Sequence, residues 1–377
     1  MNKEHDIMKN HVKSIKNSMK RLGCMLILSA IVLSIPTAVT SENSAANIVK
    51  TWKAGWNLGN SLDVIDYKRS GSPTYYETLW GNPLTTKKVF ESVKTAGFDV
   101  VRIPVTWYDH TDQEGNIDAE WMNRVKTVVN MAMDTGLYCI INVHHDVGET
   151  AWIKADPDQK EIMQQRLQKL WQQIAASFQE YDDHLLFEGF NEILDQKNSW
   201  TDPSDEELQV VNDFNQLFVD TVRATGGKNS NRILVINPYA SSTALNVLRA
   251  FEVPHDSVEN KIIVSVHFYS NNAKDIDAMF SRVQNKFLDL EIPVIIGECG
   301  MRRDACKDEQ SNSERIEYAE NIFGKAREFN IGCLWWDDGG IYDSSDDIDN
   351  YALINRKNGT WYDKELVQQI VHYNLNQ

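Results

Sequence analysis

The chain has 377 residues, of which 42% are hydrophobic and 24% charged, and its formal net charge is −16 at pH 7. This is the composition of an ordered globular protein with enough apolar material for one large core, and it excludes an intrinsically disordered chain. The acidity makes nucleic acid and anionic membranes poor partners, whereas a neutral polysaccharide carries no charge penalty.

The first forty residues have the pattern of a secretory signal peptide. Six basic and two acidic residues lie between Lys3 and Arg21, and fourteen uncharged, mostly apolar residues follow from Leu22 to Ile35. Because a membrane-spanning helix needs about 20 residues, this pattern favours a cleaved signal over a permanent anchor. We assign residues 1–40 to the signal region, with Met19 as an alternative start, and expect residues 41–377 to be secreted.

Eight short apolar runs alternate with helical patterns along the rest of the chain. The runs predict buried parallel strands at 55–59, 99–105, 138–144, 185–192, 232–238, 262–269, 293–300 and 332–339. The longest helical patterns cover 158–180 and 205–225. Eight strand and helix repeats predict an α/β protein with a closed (β/α)8 TIM barrel, and residues 41–377 form a single catalytic domain.

Two of the runs carry a glutamate at or near their C-terminal end, Glu192 in the fourth and Glu298 in the seventh. The active site of such barrels lies at the C-terminal ends of the strands, and glycosidic bond cleavage requires two carboxyl groups. A single strand-end glutamate is more simply explained as the partner of a nearby Arg or Lys, but that explanation must hold twice here. Glu188 lies four residues before Glu192, about 13 Å deeper, and we expect it to pair with an arginine inside the barrel.

Seven motifs carry a resemblance to a known family. In barrel order they are 55–63 (GWNLGNSLD), 101–107 (VRIPVTW), 141–145 (INVHH), 187–192 (FEGFNE), 264–269 (VSVHFY), 295–300 (IIGECG) and 335–339 (WWDDG). Together they resemble glycoside hydrolase family 5, and especially its subfamily 4 of endo-β-1,4-glucanases and xyloglucanases. The sequence departs from the family pattern at Ile193, where Pro is commonest, and at Cys299, where an aromatic residue is usual.

The resemblance implies a role for each residue near the carboxyl groups. Glu192 is the expected general acid/base and Glu298 the expected nucleophile, with Arg102 and Tyr269 as hydrogen-bond donors that keep Glu298 ionised. Asn191 is expected to bind the 2-hydroxyl of the sugar at the cleavage point. The other residues expected to bind substrate or support the site are Asn57, His144, His145, His267 and Trp336.

The chain contains eleven tryptophans, and aromatic faces are natural platforms for pyranose rings. We expect Trp336 to be the platform at the cleavage site and Trp335, which alternates to the other side of the strand, to pack in the core. Four further tryptophans at or after strand ends either extend the cleft or pack in the core, namely Trp56, Trp80, Trp107 and Trp152.

Cofactor and metal motifs are absent from the sequence. There is no HExxH, no GxxxxGK[ST] and no GxGxxG, so no metal, nucleotide or other cofactor is expected. The acidic run from Asp343 to Asn350 lacks the Gly and terminal Glu of an EF-hand loop, which favours a solvated loop over a calcium site. Cys299 and Cys333 fall on neighbouring predicted strands, and the sequence is compatible with two free thiols as well as with a disulfide bond between them.

These observations predict a secreted, monomeric, retaining endo-β-1,4-glucanase that forms a glycosyl intermediate on Glu298. Cellulose-type glucan, mixed-linkage glucan and xyloglucan are all candidate substrates. A mannanase or xylanase on the same scaffold is the alternative within the enzyme class, because the reacting pair would be shared. A non-catalytic glycan-binding protein is the alternative from another class.

Overall fold

The computed structural model describes residues 44–69, 71–148, 151–303, 309–340 and 350–372. The predicted signal region, Cys24 and Cys306, and the acidic run apart from Asn350 lie outside these ranges. Within them, every helix is too short or too polar to cross a bilayer.

Eight parallel strands, β1 to β8, close into a barrel in which each strand pairs with its neighbours along the chain and β8 pairs with β1. The strands are Gly55–Leu58, Val100–Ile103, Tyr138–Asn142, Leu185–Glu188, Leu234–Ile236, Ile262–His267, Val294–Cys299 and Gly332–Asp337. The prediction of a (β/α)8 barrel is confirmed. Most strands end earlier than predicted, because the polar residues that close each run belong to the loops.

Helices surround the barrel. The described ranges contain ten α-helices, α1 to α10, which span Ala45–Thr51, Pro73–Leu79, Lys87–Ala96, Ala119–Met133, Lys160–Ser177, Asp205–Ala224, Leu245–Ala250, Ala273–Lys286, Glu309–Glu328 and Lys364–His372. Short 3-10 turns lie at Tyr108–His110, Pro157–Gln159, Gly227–Asn231, Tyr239–Ser241 and Leu288–Leu290. A hairpin of Ile354–Asn355 (β9) and Thr360–Trp361 (β10) follows β8.

The sequence sets the ends of several helices by local chemistry. α6 begins with a capping box, in which the Ser204 side chain accepts from the backbone of Glu207 and the Glu207 carboxylate accepts from the backbone of Ser204. α3 ends at Gly97, whose φ of 111° lies in the left-handed region that glycine adopts without strain.

The barrel interior is divided into an apolar layer and a polar layer. The apolar layer lies toward the N-terminal ends of the strands and consists of Val100, Ile140, Leu186, Ile233, Val235, Ile263, Ile295 and Leu334, closed from below by residues of α1. Side chains two positions further along each strand face the interior again. They form the polar layer, which consists of Asn57, Arg102, Asn142, Glu188, Asn237, Ser265, Gly297 and Trp336.

The segment after β8 ties the first and last strands together. The buried Asp337 carboxylate, at the end of β8, accepts from Nε1 of Trp56 on β1 at 3.0 Å and from the backbone of Leu353 at 2.8 Å. Arg356 forms an ion pair with Asp337 at 2.9 Å and donates to the Gly59 carbonyl at 2.7 Å. Residues of the C-terminal segment therefore stabilise the junction of β1 and β8, at which the barrel closes.

Cys139, Cys299 and Cys333 are buried free thiols. The sulfurs of Cys299 and Cys333 lie 3.4 Å apart on neighbouring strands, well beyond the ~2.05 Å of a disulfide bond. Burial raises the pKa of the Cys299 thiol, so it remains protonated.

Candidate active site

A bulge in β7 brings Glu298 to the interior of the barrel. Ile296 pairs with Val266, and Glu298 pairs with the next residue, His267, so that Gly297 is the extra residue. Gly297 occupies an interior position, and simple alternation would therefore turn Glu298 outward. The bulge places Glu298 beside His267, above the polar layer.

Arg102 links the polar layer to Glu298. Its guanidinium is fully buried and donates to Glu188 at 2.6 Å, to Glu298 at 2.6 Å, to Asn191 at 2.8 Å and to Asn57 at 3.1 Å. The expectation that Glu188 pairs with an interior arginine is confirmed. Charge neutralisation by two carboxylates makes the buried guanidinium tolerable, since a buried charge without a partner is strongly unfavourable.

Glu298 is the better stabilised of the two strand-end carboxylates. It accepts from Arg102 and, at 2.8 Å, from the hydroxyl of Tyr269, and its residue is 5% exposed. Burial raises its pKa, but the charges of His267 and Arg102 and the hydrogen bonds from Tyr269 and Arg102 outweigh burial. The pKa of Glu298 therefore lies below its ordinary value, as a nucleophile that must stay ionised requires.

Glu192 lies four residues beyond the end of β4 and has fewer donors. Oε1 of Glu192 contacts Nδ1 of His267 at 2.7 Å, and the Glu192 side chain is 19% exposed. The same Nδ1 lies 3.6 Å from Oε2 of Glu298. Oxygens of the two carboxylates are within 4.8 Å of each other, so both can reach one glycosidic bond.

His267 lies between the two carboxylates. Burial lowers its pKa, but the charges of Glu298 and Glu192 and the hydrogen bond to Glu192 raise it by more than burial lowers it. The pKa of His267 therefore lies above its ordinary value. The structure thus favours an imidazolium at this position.

His144 and His145 make different hydrogen bonds. The Asn142 amide nitrogen can only donate, so Nδ1 of His144, 3.1 Å away, accepts and the hydrogen of the neutral ring is on Nε2. Burial holds the pKa of His144 well below its ordinary value, which keeps the ring neutral. Nδ1 of His145 donates to the carbonyl of Asp63 at 2.6 Å.

Trp336 is a half-buried residue near the C-terminal end of β8. Its indole stacks on His144 with ring centres 5.7 Å apart and an angle of 6° between the planes. A Cβ on Gly59 would lie 2.6 Å from the indole, so glycine is required for this close approach. Trp80, which is 42% exposed, continues the aromatic surface through His145 at 5.6 Å.

Other tryptophans have structural positions. Trp335 is fully buried and donates to the carbonyl of Tyr351, in line with the packing predicted for it. Trp56 and Trp107 are also fully buried, so the suggestion that they extend the cleft is wrong and the packing alternative holds. Trp152 is half-buried on the loop after β3.

Hydrogen bonds connect five of the predicted site residues to Glu192 and Glu298, namely Asn57, Arg102, Asn191, His267 and Tyr269. His144, His145 and Trp336 form a separate aromatic cluster. Asn57 is completely buried: its Oδ1 accepts from Arg102, and its Nδ2 donates to the carbonyl of Gly297 at 2.9 Å. It supports the site from below and is out of reach of substrate. Sequence reasoning missed Asn142, Asn237 and Ser265, which share the interior strand face with Arg102. That shared face was the signal that could have identified them.

Three groups of acidic and histidine side chains in the described part of the chain have ligand-type atoms within 4.8 Å of one another. One is Glu192, His267 and Glu298, and another is Asp63 with His144 and His145. In the second group the Asp63 carboxylate already accepts from the backbone of Asn60 and Ser61. The third is the exposed cluster from Asp182 to His184 on the opposite end of β4.

Comparisons with known proteins agree with this geometry. The model of the family described as Cellulase (glycosyl hydrolase family 5) matches residues 65–340. The chain belongs to glycoside hydrolase family 5. It is a glycoside hydrolase of the cellulase type, as predicted.

Curated relatives of the family 5 chain include endoglucanases. Endoglucanase A of Ruminococcus albus is 36% identical over 354 residues, which cover 87% of this chain and 92% of the relative. Cellulase/esterase CelE of Acetivibrio thermocellus is 38% identical over 350 residues, but the chain spans only 40% of that relative's length.

Solved family 5 structures are similarly close. The enzyme PbGH5A of Prevotella bryantii has a TM-score of 0.80 at 36% identity, with 87% of this chain and 97% of that chain covered, and a mutant of it was solved with a xyloglucan tetradecasaccharide. A broad-specificity endoglucanase of Ruminococcus champanellensis with bound cellotriose has a TM-score of 0.81 at 37% identity, with 87% and 98% covered.

Proposed function

We propose that the protein is a secreted, monomeric endo-β-1,4-glucanase that cleaves internal bonds of cellulose-type glucan, mixed-linkage glucan or xyloglucan with retention of configuration. The observation that carries the proposal is the pair Glu192 and Glu298, with oxygens within 4.8 Å. Retaining enzymes place their carboxyl groups about 5–5.5 Å apart, whereas inverting enzymes need roughly 6.5–9.5 Å to admit a water. Residues 41–377 would form the single catalytic domain.

In the first step, Glu298 attacks the anomeric carbon while Glu192 protonates the leaving oxygen. Arg102 and Tyr269 hold the Glu298 carboxylate ionised and oriented by their hydrogen bonds to its two oxygens. The bond from the anomeric carbon to the leaving oxygen breaks, the bond to Oε of Glu298 forms, and the Glu192 proton leaves with the product.

In the second step, Glu192 acts as a base and removes a proton from the attacking water, which displaces Glu298. Asn191 would bind the 2-hydroxyl, and a hydrogen bond from Arg102 to its Oδ1 supports this, because the amide oxygen is then held by Arg102 and Nδ2 would donate to the sugar. Trp336 would support the sugar ring, and the Nε2 hydrogen of neutral His144 would face the same space.

Xyloglucan is a candidate substrate because it is the named substrate or ligand of several relatives. A Bacteroides ovatus relative that is 37% identical is a xyloglucan-specific endo-β-1,4-glucanase, and the Prevotella bryantii enzyme was solved with a xyloglucan oligosaccharide. Mannanase and xylanase remain the alternatives on this scaffold. Product analysis on soluble β-glucans, xyloglucan, mannan and xylan distinguishes all of them.

The roles of the two glutamates are tested with an aryl cellobioside that has an acidic phenol as leaving group. Such a substrate needs no proton from Glu192, so Glu192→Ala should form the glycosyl-enzyme with a burst of phenol and then stall. Added azide should restore turnover and give the β-glycosyl azide. Glu298→Ala should show no burst, and azide should attack the vacant face to give the α-azide.

The reverse pattern of azide products would exchange the two roles. Glu188→Gln is the matched control, because it alters the glutamate at the end of β4, which contacts Arg102 from below and does not reach the substrate. If neither Glu192→Ala nor Glu298→Ala changes the hydrolysis of any glucan, the enzyme proposal fails and a glycan-binding protein takes its place.

A further inference from the structure

Three buried polar atoms in the barrel interior lack hydrogen-bond partners among the residues that the structure describes. They are Nε2 of His267, Oγ of Ser265 and Oδ1 of Asn237. His267 is 8% exposed, and Ser265 and Asn237 are completely buried. An unsatisfied buried polar group costs about 1–3 kcal/mol, so three at one place require an explanation.

The three atoms belong to neighbouring interior positions. Ile236 of β5 pairs with Val264 of β6, so the following residues, Asn237 and Ser265, stand side by side on adjacent strands. His267 is two positions beyond Ser265 on the same face. The Asn237 amide is oriented by its other end, since Nδ2 donates to Glu188 at 3.1 Å and to Ser241 at 3.0 Å.

The side chains of Ser265 and His267 both approach Gly297 closely. A Cβ on Gly297 would lie 2.4 Å from Oγ of Ser265 and 3.3 Å from Nε2 of His267. Oγ and Nε2 are therefore no farther apart than the sum of these distances, and one water can bridge two atoms up to ~5.6 Å apart through two hydrogen bonds. A buried water typically makes about three hydrogen bonds to groups that are otherwise unsatisfied.

We propose that one buried water lies beneath His267, accepts a hydrogen bond from its Nε2–H, and is held by the Asn237 amide oxygen and the Ser265 hydroxyl. The water donates one hydrogen to Oδ1 of Asn237 and the other to Oγ of Ser265. Ser265 is thereby a positioning residue for the imidazolium that lies between the two carboxylates. The inference deepens the proposed function, since His267 contacts both of the proposed reacting groups.

The charged and titratable groups around His267 favour its protonated form. Glu192 from the loop after β4 and Glu298 from β7 are the anions, Arg102 from β2 is an opposing cation, and His144 from the loop after β3 is a further titratable neighbour. A protonated ring carries a hydrogen on Nε2 as well as Nδ1. With Nδ1 directed at Glu192, only an acceptor on the Ser265 side can satisfy the second hydrogen.

A high-resolution crystal structure of the unmodified protein is the first test. We expect a water within about 2.6–3.2 Å of all three atoms. Density for no water there, or for a water that contacts only one of the three atoms, overturns the proposal. This result does not depend on activity, so it is separate from the failure of the proposed function.

The second test follows His267 by ¹⁵N NMR of the histidine-labelled protein across pH. We expect Nε2 to be protonated at pH 6, and the pH at which His267 loses its proton to fall by about one unit in Ser265→Ala. Thr221→Val is the matched control, because it removes a buried, unpartnered hydroxyl from α6, outside the barrel. An Nε2 that is unprotonated in the parent, or an equal titration in parent and Ser265→Ala, refutes the proposal.

Discussion

Replacement of Arg102 by methionine should change the pH dependence of activity as well as stability. Methionine has a similar shape but removes the charge and four hydrogen bonds, and it takes away the cation that pairs with both Glu188 and Glu298. Loss of one partner of a buried ion pair costs about 3–5 kcal/mol, which we expect for the free energy of unfolding near pH 7.

The same substitution removes one of the two cations that lower the pKa of Glu298, since the charge of His267 remains. A unit charge at about 4 Å is worth about 4 kcal/mol at an effective dielectric constant of 20, or close to 3 pKa units. Adjacent arginines lower carboxyl pKa values by about 1–3 units in practice. Since Glu298 must be ionised, the acidic limb of kcat/KM should move upward by about 1–3 pH units, and activity below that limb should fall about tenfold per unit.

The assay is kcat/KM on a soluble β-glucan from pH 3 to 9, together with chemical denaturation at pH 7. Arg232→Met is the matched control, because Arg232 is also a buried arginine but bonds to backbone carbonyls such as those of Leu185 and Tyr181. It should destabilise the protein without a shift of the acidic limb. An unchanged limb in Arg102→Met would refute the electrostatic reasoning, whatever the loss of stability.

Three further predictions concern other parts of the barrel. Trp336→Ala should lower kcat/KM on every accepted glucan with little change in Tm, whereas Trp335→Ala should lower the free energy of unfolding by about 3–5 kcal/mol; a stable but inactive Trp335→Ala would reverse these roles. Burial lowers the pKa of His110 to about 3. Between pH 6.5 and 3 the imidazole is therefore protonated in the unfolded state but neutral in the folded state. The free energy of unfolding should then fall by up to ~1.4 kcal/mol for each pH unit as the pH decreases. His110→Phe should flatten this slope in denaturation curves at several pH values, and an equal slope would contradict it. Gly297→Ala places a methyl group 2.4 Å from Ser265 and should cost about 1–3 kcal/mol in overpacking, measured by thermal unfolding, with a loss of activity; wild-type behaviour would show that the bulge has free space.

The sequence predicted the fold well, because each strand is a compact apolar run and each run is separated from the next by a helix. The ends of the strands were less predictable. Glu192 was assigned to the fourth strand, yet β4 ends at Glu188, since the chain leaves the ladder as soon as the polar residues begin. Apolar content alone does not mark that point.

The site was predicted by motif resemblance more than by periodicity. Simple alternation along β7 predicts that Glu298 points outward. The bulge at Gly297 turns it inward, and this bulge depends on the pairing between β6 and β7, which the sequence of β7 alone does not show. Trp56 and Trp107 were open alternatives for the same reason: a large aromatic residue at a strand end fits both a cleft and the space beneath the helices. Burial in three dimensions decides between them.

The contacts of Arg356 between the ends of β1 and β8 bear on when the active site can form during synthesis of the chain. Gly59 and Asp337, which Arg356 connects, are separated by most of the sequence, and Arg356 itself comes after both. Contacts of such long sequence separation form late, because the entropy of closing the intervening loop must be overcome first. A ribosome-bound chain that stops before residue 356 therefore contains both glutamates but lacks the Arg356 contacts with Gly59 and Asp337 where the barrel closes. Release of fragments of increasing length would locate the onset of glucan hydrolysis close to this arginine.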